Sequence, residues 1–171
     1  MNNTLLEIGA PVTMKLQQDW FRPGYYVYIV LVKHNEKRYH YIGMTGDRKH
    51  LVARSPFYRM GGHFMLGKST QNQVIKGIEE KLGINVKEDS SLLCDMDFTY
   101  YAWMIKPYDK NIQKEEHAIK RTIAEKIEAG LISKCKVEFG LENVFNKRGS
   151  RKDSREYVNE VEAIFKQLQK L

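Results

Sequence analysis

Cysteine is scarce in this chain, and long apolar runs are missing. The two cysteines, Cys94 and Cys135, lie far apart and outside any Cys-x-x-Cys pair. This excludes a disulfide framework and a zinc site of the usual spacing, and it is typical of a reducing compartment. No stretch approaches the ~18 consecutive apolar residues of a membrane span, and the first ten residues lack the basic start and apolar run of a secretory signal. We therefore expect a cytoplasmic protein with no membrane partner.

Negative charge is the minority sign. The 171 residues carry 28 Lys and Arg against 21 Asp and Glu, a formal net charge of +7. An excess of this size favours a polyanionic partner, above all nucleic acid. The length is typical of one domain that can bury a core of its own.

The hydrophobic pattern predicts an α+β domain with a small mixed sheet of about three strands, an N-terminal hairpin and flanking helices. We divide the chain into an N-terminal arm (1–23), a central module (24–148) and a C-terminal helix (149–171) that packs on the domain or forms a dimer seam. The predicted elements are strands at 25–32, 38–43 and 97–106, helices at 55–63, about 71–82, 111 to about 129 and about 154 to the end, and a short strand at 134–139. The apolar stripe of the long helix is predicted to contain Ile112, Ile119, Ile123 and Ile127.

Side chains suited to phosphodiester hydrolysis occur along the module. The hairpin strands carry Tyr26-Val27-Tyr28 and Tyr41-Ile42-Gly43. Arg59 and His63 follow, four residues apart and so on one face of a predicted helix. The acidic pair Glu115-Glu116 begins the long helix. Together they offer phenols to orient or activate water, a guanidinium for phosphate oxygens, an imidazole for proton transfer and a carboxylate for a divalent ion.

The two tripeptides, in this order, resemble the hallmark of the GIY-YIG nuclease family. Tyr41-Ile42-Gly43 matches the second tripeptide outright, and Tyr26-Val27-Tyr28 keeps the terminal tyrosine of the first, with twelve residues between Tyr28 and Tyr41. The alternative Gly24-Tyr25-Tyr26 keeps the glycine but lengthens that gap to fourteen. We prefer Tyr28, because of this spacing and the aliphatic residues that follow it.

The resemblance implies which residues act. Tyr28, Tyr41, Arg59 and His63 become catalytic candidates, with Arg54 as the competing arginine. Which tyrosine acts as base is left open.

The resemblance also implies one metal-binding glutamate, followed by apolar residues three and four positions on. Glu115 fits, because Ala118 and Ile119 stand there; Glu116 fits less well. The expected ion is Mg²⁺ or Mn²⁺.

Structural support and DNA contacts are expected from other polar or flexible positions. Gly43 and Asn146 are the supporting candidates, with Asn143 second to Asn146. The candidates for contacts to the DNA backbone share a positive charge: Lys49, Arg54, Lys147, Arg148 and Arg151.

The sequence therefore predicts a metal-dependent endonuclease that hydrolyses DNA, with a homodimer left open as its oligomeric state. A nucleic-acid-binding module that has lost the chemistry is the first alternative. A protein-interaction domain that uses the tail helix is the second.

Overall fold

The apolar run near the N-terminus forms the middle strand of a three-stranded sheet. The computed structural model describes residues 13–66, 72–147 and 153–170. Strands β1 (Gly24–His34), β2 (Lys37–Met44) and β3 (Asp97–Pro107) lie in the order β2-β1-β3. This confirms the predicted α+β fold. Both strand pairs are antiparallel, so the three-stranded sheet is not mixed as predicted. One isolated parallel bridge joins His40 of β2 to Val144.

Both faces of β1 are buried, which explains why its sequence is apolar almost without interruption. The helices are α1 (Pro56–His63), α2 (Gln73–Leu82), α3 (Lys114–Phe139) and α4 (Val158–Leu168). One face of β1, with Val27 and Ile29, shares a core with residues of α3 and α4. The opposite face, with Tyr28 and Val30, shares a second core with residues of α2. The strand that carries Tyr28 is thus fixed from two sides.

Helix α1 begins where the sequence predicts it. The Ser55 hydroxyl accepts a hydrogen bond from the Tyr58 backbone N–H, and Pro56 occupies the first turn. Helix α2 ends at Gly83, whose φ of +67° favours glycine.

The short strand predicted at 134–139 is wrong, because these residues form the last turns of α3. Cys135, Val137 and Phe139 alternate with polar residues and so imitate a strand. In the helix Cys135 is fully buried and Phe139 packs against the same core, whereas Val137 is 81% exposed. The period is therefore that of a helix.

The predicted apolar stripe of α3 is also wrong at Ile119, which is 62% exposed. Ile127 is fully buried as predicted and Ile123 packs against the core, and the helix also buries His117, Ala124 and Leu131. The predicted stripe is therefore confirmed around Ile127 and wrong in the first turns of α3, where His117 rather than Ile119 is buried.

Helix α4 begins after a short 3₁₀ helix, Arg155–Tyr157, and packs its apolar side on the domain. Val161, Ile164 and Phe165 are buried in the core that α3 shares. The apolar side of α4 is therefore covered within the chain, and the homodimer stays a prediction. Within the described ranges, no helix is both long and apolar enough to cross a membrane.

Candidate functional site

The Tyr28 ring lies against Gly43 of β2, in space that a side chain at position 43 would fill. The strand register pairs Tyr28 with Gly43. A Cβ at Gly43 would lie 2.4 Å from the Tyr28 hydroxyl oxygen, so any larger residue would displace the ring. Tyr28 is fully buried there.

His63 joins the two tyrosines of the hairpin. The Tyr28 hydroxyl and His63 Nε2 are hydrogen-bonded at 2.7 Å. The Tyr41 ring meets the His63 imidazole edge-on, with centroids 4.8 Å apart. Tyr100 of β3, which the sequence did not suggest, stacks on Tyr28 at 5.0 Å. Helix α1 begins at Ser55 and Pro56 and is eight residues long. Its last residue, His63, therefore lies in this aromatic cluster.

The phenols of this cluster favour the protonated form. Burial raises the pKa of Tyr28, although the nearby Arg59 guanidinium opposes the shift. Burial also raises the pKa of Tyr41 and of Tyr100 well above the usual value. The tyrosines are therefore suited to donate hydrogen bonds and to orient water, rather than to act as ready-made phenolates.

Arg59 connects the cluster to a pocket of about 320 Å³. Its Nε is buried and has no hydrogen-bond partner within the described parts of the chain. Arg54 lines the same pocket, so both arginines weighed from the sequence reach one site. The pocket is lined by Met44, Gly46, Asp47, Arg48, Arg54, Arg59, Arg121, Glu125 and Glu128.

Three carboxylates line this pocket, that of Asp47 and those of Glu125 and Glu128 on α3. Arg121, Glu125 and Glu128 follow the spacing of one helix face and all line the pocket. Burial first and the charge of Glu125 second raise the pKa of Glu128 to about 8, although Arg59 and Arg121 oppose the shift. Glu128 thus gains or loses a proton near neutral pH.

Glu115, the metal ligand expected from the sequence, does not line this pocket. It is exposed in the first turn of α3, thirteen residues before Glu128, or about 20 Å along the axis. Glu116 is exposed as well and pairs with Lys120 at 2.7 Å.

The signal used for Glu115 fits Glu128 better. Leu131 and Ile132, three and four residues after Glu128, are both buried, whereas Ala118 and Ile119 are exposed.

Glu125 is already engaged by cations. Its carboxylate lies 3.0 Å from Arg121 and 3.6 Å from Arg48. Among the described residues no group of three or more His, Cys, Asp or Glu could hold a metal ion. Glu128 is therefore the glutamate left to hold a cation in this pocket, with water or substrate oxygens completing the shell.

A second tyrosine–histidine pair holds the loop after β2 beside the pocket. His117 Nε2 lies 2.9 Å from the Asp47 carbonyl oxygen, and the Tyr25 hydroxyl lies 2.6 Å from His117 Nδ1. Because a carbonyl only accepts, Nε2 carries the proton and Nδ1 accepts from Tyr25. This buried link fixes the segment that carries Arg48, and the sequence pattern gave no sign of it.

Asn146 ties the end of the module to β2. Its side-chain oxygen accepts from the Ile42 N–H at 2.9 Å, and its amide donates to the Ile42 carbonyl at 2.8 Å. Asn143 instead donates to the Phe139 carbonyl at the end of α3. Asn146 therefore holds the strand segment beside Tyr41.

The five cations predicted to contact the DNA backbone do not lie together in one described surface. Arg54 lines the pocket, and Lys49 is exposed in the loop after β2. Lys147 is exposed and pairs with Glu80 at 2.5 Å. Arg148 and Arg151 lie outside the described residues.

No protein-family model, curated protein or solved structure matches this chain. The assignment of a function therefore depends on the residues and the geometry given above.

Proposed function

We propose that this chain is a metal-dependent nuclease of the GIY-YIG type that hydrolyses DNA phosphodiester bonds. The observation that carries the proposal is the convergence of Arg59 and Glu128 in one pocket beside the hydrogen-bonded pair Tyr28–His63. Cation, carboxylate, phenol and imidazole are the groups that such a hydrolysis needs, and strand β1 with helices α1 and α3 brings them together.

Arg59 binds and stabilises the phosphate. Its planar guanidinium suits two phosphate oxygens, and its buried Nε has no hydrogen-bond partner in the described chain. An arginine held in place before the reaction stabilises charge that develops in the transition state without reorganisation.

The aromatic cluster orients water and moves a proton. The pKa of Tyr28 and of Tyr41 is raised by burial, so both hydroxyls remain protonated at neutral pH. The Tyr28–His63 hydrogen bond of 2.7 Å gives a proton a path between phenol and imidazole.

Glu128 fits a single Mg²⁺ or Mn²⁺. A divalent ion would offset the unfavourable burial and the charge of Glu125 that together raise the Glu128 pKa to about 8. One carboxylate is enough for Mg²⁺, which keeps much of its water shell. When bound, such an ion supplies Lewis-acid stabilisation of the phosphate charge.

A cleavage assay on supercoiled, linear and branched DNA tests the proposal. We expect cutting with Mg²⁺ or Mn²⁺ that stops with EDTA and with Arg59→Ala. Arg38→Ala is the matched control, because Arg38 is an exposed arginine at the opposite end of β2. Absence of cutting by the wild-type protein with either ion, on all three substrates, would contradict the proposal.

A nucleic-acid-binding module without catalysis is the second candidate. Its support is that Glu125 is already paired with Arg121 and Arg48, which leaves Glu128 as the pocket's remaining glutamate. This candidate predicts salt-sensitive DNA binding with no metal-dependent product.

A further inference from the structure

We propose that Arg54 and Tyr58 form a stacking site for an unpaired nucleobase at the mouth of the phosphate pocket. The inference rests on the proposed function and names the class of substrate: DNA with a single-stranded segment beside the bond that is cut. In this role Tyr58 binds a base, whereas Arg59 binds the neighbouring phosphate.

The Arg54 side chain connects the pocket to an exposed aromatic ring. Its guanidinium carbon lies 4.2 Å from the centroid of the Tyr58 ring. Arg54 also lines the pocket that contains Arg59 and Glu128. A nucleotide next to a phosphate held at Arg59 is therefore within reach of the Tyr58 ring.

Tyr58 is available to a partner, unlike the other tyrosines near the site. It is 52% exposed, whereas Tyr28 is fully buried. The Tyr58 ring is thus half exposed and has the Arg54 guanidinium over it, and aromatic rings together with arginine bind single-stranded nucleic acid by stacking.

The ring is mounted on a rigid part of the fold. The Tyr58 backbone N–H donates to the Ser55 hydroxyl, and Pro56 fixes the first turn of α1. The preceding Phe57 contacts Phe21 at a centroid distance of 4.9 Å. Little order has to be gained when a base stacks on Tyr58, so binding loses little to conformational entropy.

Only an unpaired base can use this site. Within a duplex, both faces of a base are covered by its neighbours, and only a base released from the stack can offer a face to tyrosine. The surrounding cations match a DNA strand in charge: Arg48, Lys49 and Arg54 lie on the segment between β2 and α1. A flap, a gap or a strand end therefore fits this surface better than a continuous duplex.

Fluorescence anisotropy in EDTA tests the stacking site without cleavage. The probes are a labelled single strand, the fully paired duplex of the same sequence, and that duplex with a single-stranded flap. We expect Tyr58→Ala to weaken binding of the flap and the single strand by about fivefold or more, and to leave duplex binding within about twofold. A fluorescent base analogue in the flap should be quenched by the wild-type protein and not by Tyr58→Ala.

Conservative variants separate stacking from charge and from folding. Tyr58→Phe keeps the ring and should bind the flap like the wild type. Arg54→Lys keeps the charge but loses the planar contact, so it should lose flap preference while keeping salt-sensitive binding. Arg38→Ala, remote from α1, should change neither the flap preference nor the salt-sensitive binding.

Equal losses for flap and duplex, or unchanged flap binding in Tyr58→Ala, would overturn the stacking site even if the protein cuts DNA. Conversely, flap-selective binding that depends on Tyr58, without any cleavage in Mg²⁺ or Mn²⁺, would support the stacking site and refute the nuclease.

Discussion

Replacing Glu128 with glutamine should stabilise the fold in a pH-dependent way. The pKa of Glu128 is raised from 4.5 to about 8, first by burial and then by the charge of Glu125. A carboxyl group with a raised pKa in the folded state favours its protonated form there, so ionisation costs stability as pH rises from about 4.5 to about 8. Glutamine resembles the protonated form at every pH and does not incur this cost.

The size of the effect follows from the shift. At 1.36 kcal/mol per pKa unit, the fully ionised side chain costs the folded state about 5 kcal/mol above pH 8 and about 3 kcal/mol at pH 7. Below pH 4 the wild type and Glu128→Gln should have nearly the same free energy of unfolding. The difference should then grow with pH and level off beyond about pH 8.

Urea unfolding from pH 4 to pH 9, without divalent metal, measures this difference. Glu115→Gln is the matched control, because Glu115 is an exposed carboxylate at the start of the same helix. It should change stability by no more than about 1 kcal/mol, the value of a charge near a helix terminus. A Glu128→Gln variant that is less stable than the wild type at pH 8, or a difference that does not change with pH, would refute the environment assigned to Glu128.

Three further substitutions address other parts of the site. Gly43→Ala places a methyl group against the Tyr28 hydroxyl and should cost on the order of 3 kcal/mol in thermal unfolding; an unchanged melting temperature would contradict the close contact. Asn146→Ala leaves the Ile42 N–H and carbonyl without their side-chain partner and should cost about 1–3 kcal/mol in urea unfolding; an unchanged free energy of unfolding would contradict this contact. Arg59→Ala should lower the single-turnover cleavage rate by at least about 100-fold, and cleavage at the wild-type rate would exclude Arg59 from transition-state stabilisation.

The sequence predicts the hairpin and α1 well, because their signals are local. β-branched and aromatic residues fill β1, and Ser55 with Pro56 mark the first turn of α1. Tyr28 lies in β1 and His63 lies in α1. Local signals are therefore enough to assign these two residues to their strand and helix.

The face of α3 could not be predicted from the same kind of signal. Isoleucines occur on more than one side of the helix, and in the sequence Ala118 and Ile119, three and four residues on, favour Glu115. Only packing against the sheet shows that Leu131 and Ile132 are buried and that Glu128 reaches the pocket. Contacts with segments distant in sequence determine which side of a helix is buried.

The contacts made by Tyr100 and by the pair Tyr25–His117 have the same origin. Each joins residues far apart in sequence. The Tyr25 hydroxyl, for example, lies 2.6 Å from His117 Nδ1. No spacing rule connects such positions before the fold is known.

The most direct test of the proposed active site compares the cleavage rates of two glutamate variants in Mg²⁺. Glu128→Gln should abolish the cutting of DNA, and Glu115→Gln should cut at close to the wild-type rate. An active Glu128→Gln, together with an inactive Glu115→Gln, would contradict the pocket at Glu128 as the catalytic centre.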